Sequence, residues 1–105
     1  MHYKTHNQDD LINIVGAHLK GCVITDYDTL THLFGKPITD NLDEGKVRAE
    51  WELKFEDDLI GTIYDWKEHD KPLNKVRTWN IGGHHSEIVD RIRLIVREYE
   101  NGHRQ

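Results

Sequence analysis

Hydrophobic and polar positions alternate without a break from Lys46 to Glu56. Val47, Ala49, Trp51, Leu53 and Phe55 fall on one side, and Lys46, Arg48, Glu50, Glu52, Lys54 and Glu56 on the other. Period-two alternation of this length predicts a half-buried strand. A two-residue turn at Asp57-Asp58 would set Trp51 opposite Tyr64, Leu53 opposite Thr62, Phe55 opposite Ile60 and Ala49 opposite Trp66. The hairpin then has one apolar, aromatic face, and a solvated reverse side of Arg48, Glu50, Glu52 and Lys54 beside Asp65 and Lys67. An Asp-Gly pair would close such a turn more easily than Asp-Asp. Residues 67–75 read as a polar loop, and Val76 to Ile81 as a third strand.

Helical spacing governs the two ends of the chain. Near residues 8–20, Leu11, Ile14, Val15, His18 and Leu19 share one stripe, with Thr5 and Gln8 at capping-box spacing and Gly21 as a stop. Cys22 to Ile24 predicts a short strand, after which Thr25 or Asp26 caps a brief helix carrying Tyr27, Leu30, Leu33 and Phe34. Gly35 and Pro37 end it, and residues 38–45 form a polar connection. Ser86 starts the strongest helix, in which Ile88, Ile92, Ile95, Val96 and Tyr99 keep core spacing, Glu87 and Arg91 make a favourable exposed pair, and Gly102 is the stop. The expected architecture is α+β: a three- to four-stranded antiparallel meander with N-terminal helices and a C-terminal amphipathic helix on one face. With 105 residues, 36% of them hydrophobic, the whole chain 1–105 is expected to form one domain.

Four segments, Leu33-Phe34-Gly35-Lys36-Pro37, Trp51 to Asp57, Thr62 to Lys67 and Trp79-Asn80-Ile81-Gly82-Gly83, together resemble the pattern of a loose group of small phage-encoded proteins without a settled activity. The likeness covers roughly half of the chain. It implies a phage accessory role in the host cytoplasm, of the kind that disarms host defences.

Charge narrows the partners. The formal charge is −5, and residues 1–45 carry seven acids against three lysines, so this part holds most of the excess. An acidic face of Asp9, Asp10, Asp26 and Asp28 suits a basic protein partner. Direct binding to duplex nucleic acid is disfavoured, since no Lys/Arg cluster precedes the last helix. Cys22, the single cysteine, cannot form an internal disulfide and reads as a small buried residue in a reducing compartment. The polar start from His2 to Asp10 and the lack of any long apolar run argue against a secretory signal or membrane span, which makes a cytosolic location the expectation.

Chemistry-bearing residues gather at three places. The first is the Gly82-Gly83 junction, where free helix-start amides of His84, His85 and Ser86, with Arg77 on the incoming strand, suggest an anion or nucleotide pocket; Trp66 or Trp79 would stack a base. The plainer reading is that the glycines serve only the turn. The second is Tyr64-Asp65-Trp66-Lys67, where alternation places Tyr64 and Trp66 in the core and leaves Asp65 and Lys67 as ordinary exposed positions. The third is Glu50, Glu52 and Lys54, which faintly match the acid-any-Lys element of metal-dependent nucleases but lack a further acid to hold magnesium. Adjacent His84 and His85 do not have helical zinc spacing, so neither a metal nor another cofactor is expected. The leading expectation is therefore a non-enzymatic binding protein that blocks a host defence protein or sequesters a nucleotide signal. The sequestering version brings an expectation of a symmetric homodimer to enclose the ligand. A nuclease or phosphodiesterase, or a virion assembly component, are the alternatives.

Overall fold

A computed structural model describes residues 2–7, 14, 16–39, 42, 46–68 and 70–102. It is an α+β fold with strands β1 (Tyr3–Thr5), β2 (His18–Ile24), β3 (Glu50–Phe55), β4 (Ile60–Tyr64) and β5 (Thr78–Gly83), and helices α1 (Tyr27–Phe34) and α2 (Glu87–Gly102). The five strands form one sheet in the order β1-β3-β4-β5-β2, and every neighbouring pair is antiparallel. The expected meander is its centre, β3-β4-β5. The edges are strands that the hydrophobic pattern does not announce: β1 lies in the polar lead-in, and β2 includes residues predicted to be helical.

His18, Leu19 and Lys20 belong to β2 and not to an N-terminal helix, while residues 8–13 and 15 of that prediction lie outside the described residues. Gly21 is mid-strand rather than a helix stop. A Cβ there would come within 3.0 Å of the Val89 side chain, so its small size admits α2 against the sheet. Cys22 is half-buried, because it is Val23 that takes the inward position, at 5% exposure.

The hairpin between β3 and β4 has a different register from the one a two-residue turn would give. Asp58 N–H bonds to the Phe55 carbonyl and Phe55 N–H to the Leu59 carbonyl, enclosing Glu56, Asp57 and Asp58 in a three-residue loop. Such a loop needs positive φ only at its last position, where Asp58 has φ 68°, whereas a two-residue type I′ turn demands it twice. Trp51 therefore pairs with Ile63 and Leu53 with Gly61, while Glu50 pairs with Tyr64 and Glu52 with Thr62. A one-residue shift exchanges the faces of every β4 side chain, so Tyr64 leaves the core and Ile63 enters it.

Both helices pack on one face of this sheet. Asp26 caps α1 by accepting from the Thr29 N–H, and Tyr27 places its ring 5.8 Å from Trp51 and 6.2 Å from Trp79. Trp51 and Trp79 meet edge to face, and their indole N–H groups donate to the Gly35 and Thr25 carbonyls. Ile88 and Ile92 of α2 lie over Gly61, where a Cβ would sit 2.4 Å from Ile88 Cγ1. Leu30, Phe34, Leu53, Ile63, Ile81, Ile88, Ile92 and Val96 complete a core with almost no solvent exposure. Full burial of each such large side chain stabilises by about 1.5–3 kcal/mol. The expected Glu87–Arg91 pair is present, and Arg91 also donates two hydrogen bonds to Asp57.

Candidate functional site: the helix-free face of the sheet

Alternation along five strands fixes what lies opposite the helices. Lys4 stands across from Lys54; Lys54, Glu52 and Glu50 from Ile60, Thr62 and Tyr64; Thr62 and Tyr64 from Gly82 and Asn80; and Gly82, Asn80 and Thr78 from Leu19, Cys22 and Ile24. No helix lies on this face among the described residues, yet its centre is not simply solvated. Glu52, expected on a hydrated surface, is only 5% exposed, and its Oε1 has no hydrogen-bond partner among the described residues. Glu50 next to it is half-buried, and its carboxyl is pushed up to about 8, by loss of solvation first and then by the hydrogen bond and charge of Glu52. Glu50 thus retains its proton at neutral pH. Burial, and secondarily the Glu50 charge, also raises the Tyr64 phenol above its ordinary value.

An apolar strip borders this carboxyl pair. Trp66 is 40% exposed, Leu19 60% and Ile24 67%. Tyr64 and Trp66 stand two residues apart with ring centroids 6.4 Å from each other, and the register carries the row on through Asn80 and Thr78 to Cys22 and Ile24. Lys46 and Lys67 hold their ammonium groups 5.8 and 5.7 Å from the Trp66 ring centre, each such contact being worth about 0.5–1 kcal/mol at an exposed site. The placement of Tyr64 and Trp66 corrects the expectation that they are core, for the register reason given above.

Asp65 is the other correction. Far from being an exposed sheet residue, it is fully buried and accepts from the backbone N–H groups of Arg48 and Ala49 at 2.8 and 3.1 Å and from Arg48 Nε at 3.3 Å. It ties the end of β4 to the approach of β3, a structural role. Lys67 is exposed as expected and has φ 56°. Asn7 plays a matching part at the β1 edge: its side-chain amide donates to the Phe34 carbonyl and accepts from the Glu52 N–H.

The glycine junction does not gather its expected partners. Gly82 and Gly83 are the last residues of β5 and are buried. A Cβ on Gly82 would lie 2.7 Å from Thr62 Oγ1 and 3.5 Å from the Tyr64 ring, and one on Gly83 would lie 3.0 Å from Ile88 Cγ2. Close packing on both faces of the sheet accounts for the two glycines. His84, His85 and Ser86 are exposed in the link to α2. Arg77 lies before the opposite end of β5, about 20 Å away by strand rise, where it faces Asp26 at 3.9 Å. Trp79 is fully buried on the helix side, and Trp66 is on the other side.

Of the acidic set, Asp9 and Asp10 lie outside the described residues. Asp26 is occupied as a helix cap, with its carboxyl held below the usual range first by the Thr29 hydrogen bond, and Asp28 is exposed in the first turn of α1. Glu50, Glu52 and Lys54 do share a face, as nuclease chemistry would need. However, no three His, Cys, Asp or Glu side chains converge as a metal site among the described residues, and Lys54 Nζ lies 3.5 Å from Asp58.

Asn7, the buried Asp65 and the Lys4–Lys54 pairing were not foreseen. Only the last had a signal in the sequence, the polar-apolar-polar run from His2 to His6, which is too short to be read as a strand. No helix among the described residues is long and apolar enough to cross a membrane. Comparisons of the chain with protein-family models, with curated proteins and with solved structures give no match.

Proposed function

We propose that this protein acts by binding another protein on the helix-free face of its sheet, and that, in keeping with its phage-like sequence pattern, the partner is a host defence protein that it blocks. The observation that carries this reading is the exposure of Ile24 and Trp66 toward one end of this face, with Leu19 exposed on the same face at the other end of β2. Large apolar side chains left exposed on one face present a surface that association would dehydrate at about 25 cal/mol per Å². Tryptophan, here Trp66 just beyond the end of β4, is among the residue types that most often dominate such an interface. Lys46 and Lys67 beside Trp66 favour a partner whose rim is acidic. In the acidic-face version, Asp28 is exposed and Asp26 is partly exposed while capping α1.

The test is native mass spectrometry of gently purified protein from cells with active defence systems, with a plaque assay on the same strains. The intact chain should carry a stoichiometric host protein and restore plating. Trp66→Ala combined with Ile24→Ser should lose both while keeping its thermal midpoint. A folded double variant that retains the partner and the plating effect would sink the proposal.

A further inference from the structure

We infer that the open edge of β2, with the groove between it and α2, is a docking site for an extended acidic segment of another protein, which would add to the five-stranded sheet as a further strand. Among the described residues no strand lies beyond β2. The Thr25 N–H donates to the Arg77 carbonyl on the β5 side. By alternation Gly21 and Val23 also turn their main-chain groups toward β5, while those of Cys22 and Ile24 point outward. An outward row of this kind is a template for another strand. Helix α2 runs along it in the same direction. Val89 sits where a Gly21 Cβ would come within 3.0 Å, Arg93 Nε donates to the Cys22 carbonyl at 2.8 Å, and Glu100 accepts from Thr25 Oγ1 at 2.9 Å. Strand edge and helix enclose a groove of about 340 Å³, whose lining includes Cys22, Ile24, Arg93, Val96, Arg97 and Glu100.

The charge of the groove names its occupant. Arg93 and Arg97 are exposed and lie one helical turn apart, and neither has an ion pair among the described residues. Glu100 is the one carboxylate in the lining, and it already accepts from Thr25. Asp90, one turn before Arg93, pairs with neither arginine. Along α2 the step from Arg93 to Arg97 is about 6 Å, and along a strand the step from one residue to the next but one is about 6.6 Å. A strand laid beside β2 can therefore offer carboxylates to both guanidinium groups from alternate positions, with the residue between them on the side of Ile24. The Arg93 bond adds selectivity. It covers the Cys22 carbonyl, as edge strands are commonly guarded, and a carboxylate is a stronger acceptor than a neutral carbonyl. An acidic segment thus draws Arg93 aside and frees the ladder position, which a neutral or basic one does not. A second copy of this chain, paired about a two-fold axis at this edge, would set four guanidinium groups against two Glu100 carboxylates, so a separate acidic segment is the better occupant.

This edge is apart from Trp66, and the inference does not rest on the docking proposal; Ile24 belongs to both surfaces and is left unchanged in the test. The experiment is amide-resolved NMR titration of the protein with a capped heptapeptide of alternating valine and glutamate, and with its valine and lysine counterpart, joined to amide hydrogen exchange. The glutamate peptide should give saturable shifts at Cys22, Ile24, Arg93 and Arg97 and slow the exchange of the Cys22 and Ile24 N–H groups, and the lysine peptide should give neither. The double variant Arg93→Gln/Arg97→Gln should remain folded and bind the glutamate peptide at least about tenfold more weakly. No saturable shift up to about 5 mM peptide, binding without added protection of Cys22 and Ile24, equal binding of the lysine peptide, or undiminished binding by the folded double variant would overturn the inference. So would a concentration-dependent dimer that protects these two N–H groups without peptide, because the edge would then belong to a second copy.

Discussion

The two faces of this sheet are made by the same strands, residue by residue in alternation, and they have opposite physical characters. The covered face has Trp51, Leu53, Phe55, Ile63, Trp79 and Ile81 packed to near-zero exposure under two helices. The other face carries Glu50, Glu52, Lys54, Thr62, Tyr64 and Asn80, with exposed Leu19, Ile24 and Trp66 around them. On the first, energy resides in close packing, and function has no access. On the second, the Glu50 carboxyl is held away from its ordinary protonation, and apolar groups are left in water. That arrangement contributes little to folding and suits binding.

The sharpest way to break the comparison is to remove a large ring from the covered face. Trp79→Ala deletes a fully buried side chain that contacts Trp51 and Tyr27 and donates to the Thr25 carbonyl. It should cost about 3–5 kcal/mol, seen as a lower denaturant midpoint with little change in slope. A loss below about 1 kcal/mol would mean that the core is not organised around this indole.

Asp65→Ala comes next. Removing its carboxylate leaves the Arg48 and Ala49 N–H groups without their acceptor and should cost about 2–4 kcal/mol. Asp65→Asn retains one acceptor oxygen and should lose roughly half as much. Equal losses in the two variants would show that the charge, not the hydrogen bonds to β3, is what matters.

How much of this was legible in the sequence depends on the kind of signal each residue leaves. The α2 stripe, the Asp26 cap (one of the two anticipated) and the alternation of β3 from Glu50 to Phe55, though not its anticipated start at 46–49, appear in the fold, because local period and capping chemistry decide them. The β3–β4 register was not readable from alternation, since β4 offers acceptable residues on either face and only the loop length chooses between them. That choice moved Tyr64 and Trp66 from the expected core to the candidate site. Asp65 left no trace of its burial, because its partners are backbone N–H groups from 16 or 17 residues earlier. The strand at His18–Leu19 was hidden by a helical spacing that tertiary pairing with β5 overrode.

On the helix-free face the prediction concerns pH. The Glu50 carboxyl titrates near 8 in the fold and near 4.3 in the unfolded chain, so between these values the native state holds the extra proton. Stability must therefore fall as pH rises from about 4.5 to 8 and level off above. Glu50→Gln should remove this slope and leave the variant more stable than the parent at pH 8 and above. The gain should be about 1–2 kcal/mol after discounting for solvent around a half-buried group. A parent whose stability is flat or rising across this window would contradict a protonated Glu50.

The smallest effect on folding is expected where the effect on binding should be largest. Trp66→Ala removes a ring that is 40% exposed and whose contacts are the edge of Tyr64 and two lysine ammonium groups. The cost should be about 0.5–1 kcal/mol, several times less than for Trp79→Ala. Two tryptophans on opposite faces of the same sheet thus give a direct measure of the contrast. If Trp66→Ala destabilises as much as Trp79→Ala in parallel denaturant titrations, the ring serves folding and the helix-free face is a second core. If it is nearly silent in stability yet abolishes partner retention, the exposed ring is kept for contact with another molecule.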